Sequence, residues 1–244
     1  MKNYLLILIP FMFLLSCENE TETLDPSVFN FDFYEIEEGY EWIYEVDSLI
    51  IASGGNANIT TSSQVREQIG DLISDDNGER RYELLRSTRK TENDTWVLTD
   101  VWLLTIDNNR IIRTEENLSF ISLVFPLNEN SSWDGNALFD SEMEFPIGFD
   151  NLVAYLGWNY EVVEIDIPHT IGETTYDETV RVVHIDDSNL LGRRFSEERY
   201  ARGIGLIERN LELFDTQNTD ITLEWVERAQ SGLQLSQRLI SYSR

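Results

Sequence analysis

The chain has 244 residues, 45 acidic and 18 basic side chains, a formal charge of −27 and a single cysteine, Cys17. A surface this negative repels nucleic acid and anionic lipid headgroups, so neither is expected as a direct partner. One cysteine excludes an intramolecular disulfide and a thiolate metal site, leaving core packing and sheet pairing to hold the fold.

The chain opens on Lys2 followed by an apolar run from Tyr4 to Leu15. That layout is a secretory signal with a short positive region and an apolar region. The run is shorter than the roughly 20 residues a membrane-spanning helix needs, and Pro10 interrupts it. It ends in Leu14-Leu15-Ser16-Cys17, which resembles the lipobox of bacterial lipoproteins. The resemblance implies that residues 1–16 are a lipoprotein signal peptide and that the Cys17 thiol carries a diacylglyceryl group. An ordinary secretory signal is the alternative. Several acyl chains anchor a protein stably, because each buried CH₂ contributes about 0.8 kcal/mol. The membrane is then a partner through the N-terminal acyl chains, and the expected location is the outer membrane. Loss of residues 1–16 leaves 228 residues and, without Lys2, a charge of −28.

Residues 17–30 are poor in apolar side chains and read as an acidic flexible tether. Its start, Glu18-Asn19-Glu20-Thr21-Glu22, resembles the acidic segment that directs lipoproteins to the cell surface in Bacteroidota. A plain solvated linker explains it equally well.

From Phe31 onward the apolar period is two. Trp42, Tyr44 and Val46 alternate with Glu41, Glu45 and Asp47, and Val180, Val182 and His184 oppose Arg181, Val183 and Ile185. Such runs are half-buried strands. Asp75-Asp76-Asn77-Gly78 and Asp107-Asn108-Asn109 read as hairpin turns between them. Thr61–Ser74 fits helical spacing as well as strand parity, and the turn after it decides for a strand. Phe195–Arg199 is open between a strand and a single helical turn. Residues 31–244 are therefore expected to form one antiparallel β domain. The fold class is all-β, as a single large, strongly curved sheet, an open half-barrel or a sandwich.

Three local sequences stand out: Gly39–Ser48, Phe125-Pro126-Leu127 with Trp133-Asp134-Gly135-Asn136, and Tyr200–Ile207. Together they resemble a group of exported lipoproteins of Bacteroidota built from long curved antiparallel strands, a group to which no activity attaches. Many of that group carry proline where this chain has Arg202. Read from the residues alone, Gly203 and Gly205 suit a bulge or a close backbone approach where a strand begins. They do not suit a phosphate loop, because no helix follows. Trp133–Asn136 reads as a turn with an aromatic lid.

Sites of chemistry are sparse. The acidic runs Asp75–Glu79 and Asp186–Asn189 lack the spacing of an EF-hand. His169, following Pro168 in an expected loop, and His184, on a strand, have no zinc spacing. No nucleophile elbow is present. Asn58, Asn93, Asn117 and Asn130 begin glycosylation sequons of little meaning in a bacterial lipoprotein, and Asp47-Ser48-Leu49, a short O-glycosylation pattern, falls inside an expected strand. Sixteen arginines against two lysines suggest forked pairing with carboxylates on strand faces. No cofactor, metal site or catalytic residue is assigned. The expected function is non-enzymatic, a binding or structural component of the cell envelope. One alternative is a carrier whose concave face, lined by Trp42, Tyr44, Trp96, Trp102 and Trp158, holds an apolar ligand. Another is a secreted hydrolase using an unmarked pair of carboxylates.

Overall fold

Alternating side chains that bury one face of each strand force the strands to curl around a shared core. The computed structural model of the chain shows the outcome and describes residues 29–52, 56–76, 79–147 and 150–244. The signal peptide, Cys17 and the tether up to residue 28 lie outside the described residues, as do Asn77 and Gly78 of the first expected turn.

Twelve strands form one antiparallel sheet. The first meander is β1 (Glu41–Ala52), β2 (Ala57–Asp76), β3 (Glu79–Arg89), β4 (Val97–Asp107), β5 (Arg110–Glu115) and β6 (Leu118–Val124). A two-residue strand, β7 (Ser132–Trp133), and a separate hairpin of β8 (Glu144–Ile147) and β9 (Asp150–Val153) come next. The second meander is β10 (Tyr160–Ile171), β11 (Thr174–Ser188), β12 (Gly192–Ala201), β13 (Gly205–Asp215) and, after a four-residue helix α1 (Trp225–Arg228), β14 (Ser231–Ser243). β14 pairs with β1, so the two meanders are joined through strands from the two ends of the fold. β6 and β7 form the outer edges. These edges nearly meet: the Ile121 amide donates to the Gly135 carbonyl at 2.8 Å, and Trp133 Nε1 donates to the Ile121 carbonyl at 2.7 Å. The sheet is thus curved almost to a barrel, which leaves little edge open for pairing with another chain.

The two ambiguous segments are strands. Thr61–Ser74 lies within β2 and Phe195–Arg199 within β12. His169 is a correction: it lies in β10, not in a loop. Pro168 is tolerated because this end of β10 pairs only with β11, and the register slips between Ile167 and His169, so no ladder bond needs its missing N–H. At the Asp107-Asn108-Asn109 turn Asn108 adopts φ 50°, a left-handed conformation that Asn accepts.

Tertiary packing fills one end of the curve. The 3-10 turn Phe31–Phe33 brings Phe33, Tyr34 and Ile36 into the main core, where Tyr34 packs against Trp42 and Tyr200. Asn30 Nδ2 donates to the Leu127 carbonyl, so the chain is already docked at that residue. Arg202 holds this segment down. It pairs with Asp32 at 2.6 Å, Asp166 at 2.5 Å and Glu178 at 3.1 Å, and its guanidinium lies 4.3 Å from the Phe33 ring centre. In the same turn Gly203 supplies the left-handed residue at φ +71° and donates its N–H to the Asp32 carbonyl. Gly205 is also left-handed, at φ +101°, whereas a Cβ there would make only an ordinary contact with the Trp42 indole at 3.5 Å. Of the expected bulge or close approach it is the bulge that is present: the register of β12 with β13 shifts between Arg199 and Tyr200, which pair with Glu208 and Leu206.

Candidate functional site

The interior of the curved sheet contains a layer of charge. Period-two parity puts Glu67 of β2 on the same face as Val65 and Ile69, Arg113 of β5 on that of Ile111, and Arg209 of β13 on that of Ile207 and Leu213. Glu198 of β12 lies beside Arg209 in the register. Curvature then brings these strands together. Arg113 Nη2 meets Glu67 Oε1 at 2.5 Å, and its Nε stands 2.5 Å from Glu115. Arg209 Nη2 bridges Glu115 at 3.1 Å and Glu198 at 2.5 Å. Glu198 accepts a short hydrogen bond from the Tyr200 hydroxyl and lies 3.6 Å from His184 Nε2. Arg86 of β3 stands 3.6 Å from Glu67 and covers the Trp102 ring at 4.5 Å. The chain of ion pairs crosses the interior from β2 and β3, through β5, to β13 and β12.

Above this layer lies a cavity of about 400 Å³. Its apolar wall includes Leu118 and Phe120 of β6, Leu211 and Leu213 of β13, and Leu233 and Leu235 of β14. Phe145 and Ile147 of the β8 strand and Tyr155 and Trp158 of the loop after β9 complete it. Arg86, Trp102, Glu115, Glu116, Ser122, His184, Ser196, Glu198, Arg209 and Gln237 form its polar side. The volume falls within the range of small-molecule sites, about 300 to 1,000 Å³. The ring of His184 stacks on Tyr160, centroids 3.8 Å apart, and its Nδ1 is 3.0 Å from the Ser196 hydroxyl, which fixes the imidazole in the wall.

The electrostatics favour fixed charge over proton transfer. Burial alone would raise the Glu198 carboxyl, but Arg209, with His184 and the Tyr200 hydroxyl, more than reverses this and holds it well below the ordinary carboxylate range. Glu115 is lowered in the same way, with burial opposed by Arg209 and Arg113. Burial pushes the phenols of Tyr34 and Tyr155 up to about 12, and raises Tyr44, Tyr160 and Tyr200 well above 10. Both carboxylates are thus ionised at neutral pH and the phenols protonated. A general acid or base needs a value nearer the working pH.

Four wall residues carry a buried side-chain nitrogen without a hydrogen-bond partner among the described residues: Arg86 Nε, Trp102 Nε1, His184 Nε2 and Gln237 Nε2. Arg86 Nε and His184 Nε2 each stand 3.6 Å from a carboxylate, of Glu67 and Glu198, whereas Trp102 and Gln237, 7% and 2% exposed, are neutral donors. An unpaired buried donor is unfavourable by about 1 to 3 kcal/mol, so this wall is suited to an incoming acceptor.

Of the aromatics expected on a concave face, Trp102 and Trp158 line the cavity. Trp42 and Tyr44 do not: they are packed into the main core, where they donate to the carbonyls of Ile204 and Leu206. Trp96 is also a correction, because it lies between Arg66 and Arg89, 5.1 and 4.3 Å from its ring, away from the cavity. The two histidines do not converge. His169 Nε2 meets Glu208 at 2.9 Å, whereas His184 faces Glu198. Among the described residues no group of three or more His, Cys, Asp or Glu could hold a metal ion. Asp186 is paired with Arg193, and the Asn189 side chain caps the turn by accepting from Leu191 and Gly192. Asp134 does the same for Asn136 in the Trp133–Asn136 turn, and Gly135 lies so near Tyr160 that a Cβ would come within 2.4 Å of its ring. Cross-strand arginine pairs are present, among them Arg181 with Glu197 at 2.6 Å and Arg238 with Asp47 at 2.7 Å. Sequence reading placed arginines only on such faces and missed the inward set of Glu67, Arg113, Glu115, Glu198 and Arg209. The signal was available: each shares strand parity with buried apolar neighbours.

No protein-family profile matches the chain, and no curated protein matches it. Among solved structures it is similar to a protein of Parabacteroides distasonis described as a "putative lipoprotein". That similarity has a TM-score of 0.39 and 14% identity, over 86% of this chain and 98% of the other.

Proposed function

We propose that this chain is a lipid-anchored protein of the outer membrane that binds a small, mainly apolar ligand inside its curved sheet and does not transform it. The cavity of about 400 Å³ carries this reading, because a purely structural sheet would be expected to fill its interior to close packing. Its leucine and aromatic wall suits an apolar body, and its polar side suits one oxygen-bearing end. The ionised, arginine-paired carboxylates support binding over hydrolysis, since neither Glu115 nor Glu198 is held as an acid at neutral pH. The Leu14-Leu15-Ser16-Cys17 sequence supports the anchor, and the net charge supports attachment by acyl chains rather than by a basic surface.

The test uses residues 18–244, which contain every element described above, and the neutral fluorophore N-phenyl-1-naphthylamine. Saturable uptake at one site is expected. Leu235→Trp, which puts an indole into the cavity, should weaken uptake at least tenfold while circular dichroism stays unchanged. Absence of saturable uptake, or uptake indifferent to both Leu235→Trp and Leu233→Trp, overturns the reading.

A further inference from the structure

Resting on the binding reading above, we infer that the ligand is a single-chain amphiphile whose head is an uncharged oxygen acceptor, such as an ester or amide carbonyl, and that the corresponding carboxylate is rejected. The buried charges of the polar side are already matched, the further carboxylate of the lining, Glu116, being solvent-exposed. Arg86, Arg113 and Arg209 stand against Glu67, Glu115 and Glu198, and every guanidinium of the three is within 3.6 Å of a carboxylate of this set. A further anion would have to displace a carboxylate from its arginine or enter a largely apolar space without a partner. Either is strongly unfavourable, and an acid in that position would instead take up a proton. At the buried end a cation meets the same obstacle, because Glu115 and Glu198 are shared with Arg209.

Of the wall nitrogens without a hydrogen bond, Arg86 Nε and His184 Nε2 have a carboxylate 3.6 Å away, and the two with no such neighbour, Trp102 Nε1 and Gln237 Nε2, are neutral donors. Trp102 Nε1 is donor-only, and Trp102 is sandwiched beneath Arg86 and Arg113, 4.5 and 5.0 Å from its ring, so the indole is held in place. Gln237 lies opposite Arg209 in the β13–β14 register and presents a second donor. A carbonyl or hydroxyl oxygen can accept from such groups without bringing charge. The leucines of β13 and β14 next along each strand, Leu211, Leu213, Leu233 and Leu235, continue from this polar end as an apolar wall. Head and chain of an amphiphile therefore have separate places on consecutive inward positions of the same two strands.

Displacement of bound N-phenyl-1-naphthylamine by two chain-matched competitors, glycerol monolaurate and laurate, tests the inference at pH 7.5 and below their micellar concentrations. Monolaurate should displace the probe at a concentration at least tenfold lower than laurate. Part of any such preference reflects simple partitioning, so the decisive quantity is its change in Trp102→Phe, which keeps the ring and removes the N–H, and in Gln237→Leu. Each should reduce the monolaurate-to-laurate preference at least threefold, both competitors being referred to the probe affinity measured for that same variant. Equal or tighter binding of laurate, or a preference that neither variant alters, overturns the inference while leaving the binding reading intact. Failure of the unmodified protein to take up the probe overturns both.

Discussion

Arg209 of β13 holds Glu115 of β5 at 3.1 Å although the two are 94 residues apart and belong to different meanders. With Glu198 on its other side, the same guanidinium ties the two halves of the curved sheet together through the interior. A half-buried arginine between two carboxylates is a linchpin for both.

Replacing Arg209 removes the partner of two inward carboxylates at once. Arg209→Met should destabilise the domain by about 3 to 5 kcal/mol, the usual consequence of stranding buried charge. The triple variant with Glu115→Gln and Glu198→Gln should recover most of that loss in urea unfolding. A single variant as stable as the parent would show that the pairs do not bear on stability.

Acid should weaken the domain through the same carboxylates. Glu115 and Glu198 have native values below their ordinary one, so the unfolded chain binds more protons between the two values. Their stabilisation is complete above about pH 5 and is lost as the pH falls below the ordinary carboxylate value toward the native one. Melting temperature should fall from pH 5 downward, and the fall should be shallower in Glu198→Gln. A slope identical in that variant would locate the acid sensitivity elsewhere.

Gly232 begins the pairing of β14 under severe steric constraint. Its φ is +150°, and a Cβ would lie 2.1 Å from the Leu213 carbonyl oxygen on the neighbouring strand. Gly232→Ala should cost about 2 to 4 kcal/mol through overlap and backbone strain. Gly172, also left-handed at φ +59° but with nothing within 4 Å of its Cβ position, should cost only about 1 kcal/mol as Gly172→Ala. Comparable losses in thermal melts would mean that strand separation adjusts to the methyl group.

Lipidation at Cys17 predicts a mature chain that begins with a diacylglyceryl-modified cysteine. Mass spectrometry of the membrane fraction should show that residue at the N-terminus, and Cys17→Ala should abolish membrane retention. An unmodified residue 17, or cleavage elsewhere, would contradict the anchor.

Local pattern accounts for much of this architecture. The strand containing Trp42, Tyr44 and Val46, the inward Val180, Val182 and His184, and the tight turn at Asn108 all follow from period two and from residues that accept left-handed backbone, because both depend on near neighbours. Parity also marks Glu67, between Val65 and Ile69, as inward, but an inward charge in one strand does not reveal its partner. That partner, Arg113, is 46 residues away, and it arrives only because the sheet curls. Likewise the pairing of β14 with β1, the near-meeting of β6 and β7, and the space left above the ion-pair layer depend on how twelve strands close on one another. Sequence periodicity therefore determined that the chain would be an all-β sheet with one buried face. Tertiary curvature decided which charges meet across that face, which aromatics pack into solid core and which line a cavity, because curvature is a property of the whole sheet and not of any strand within it.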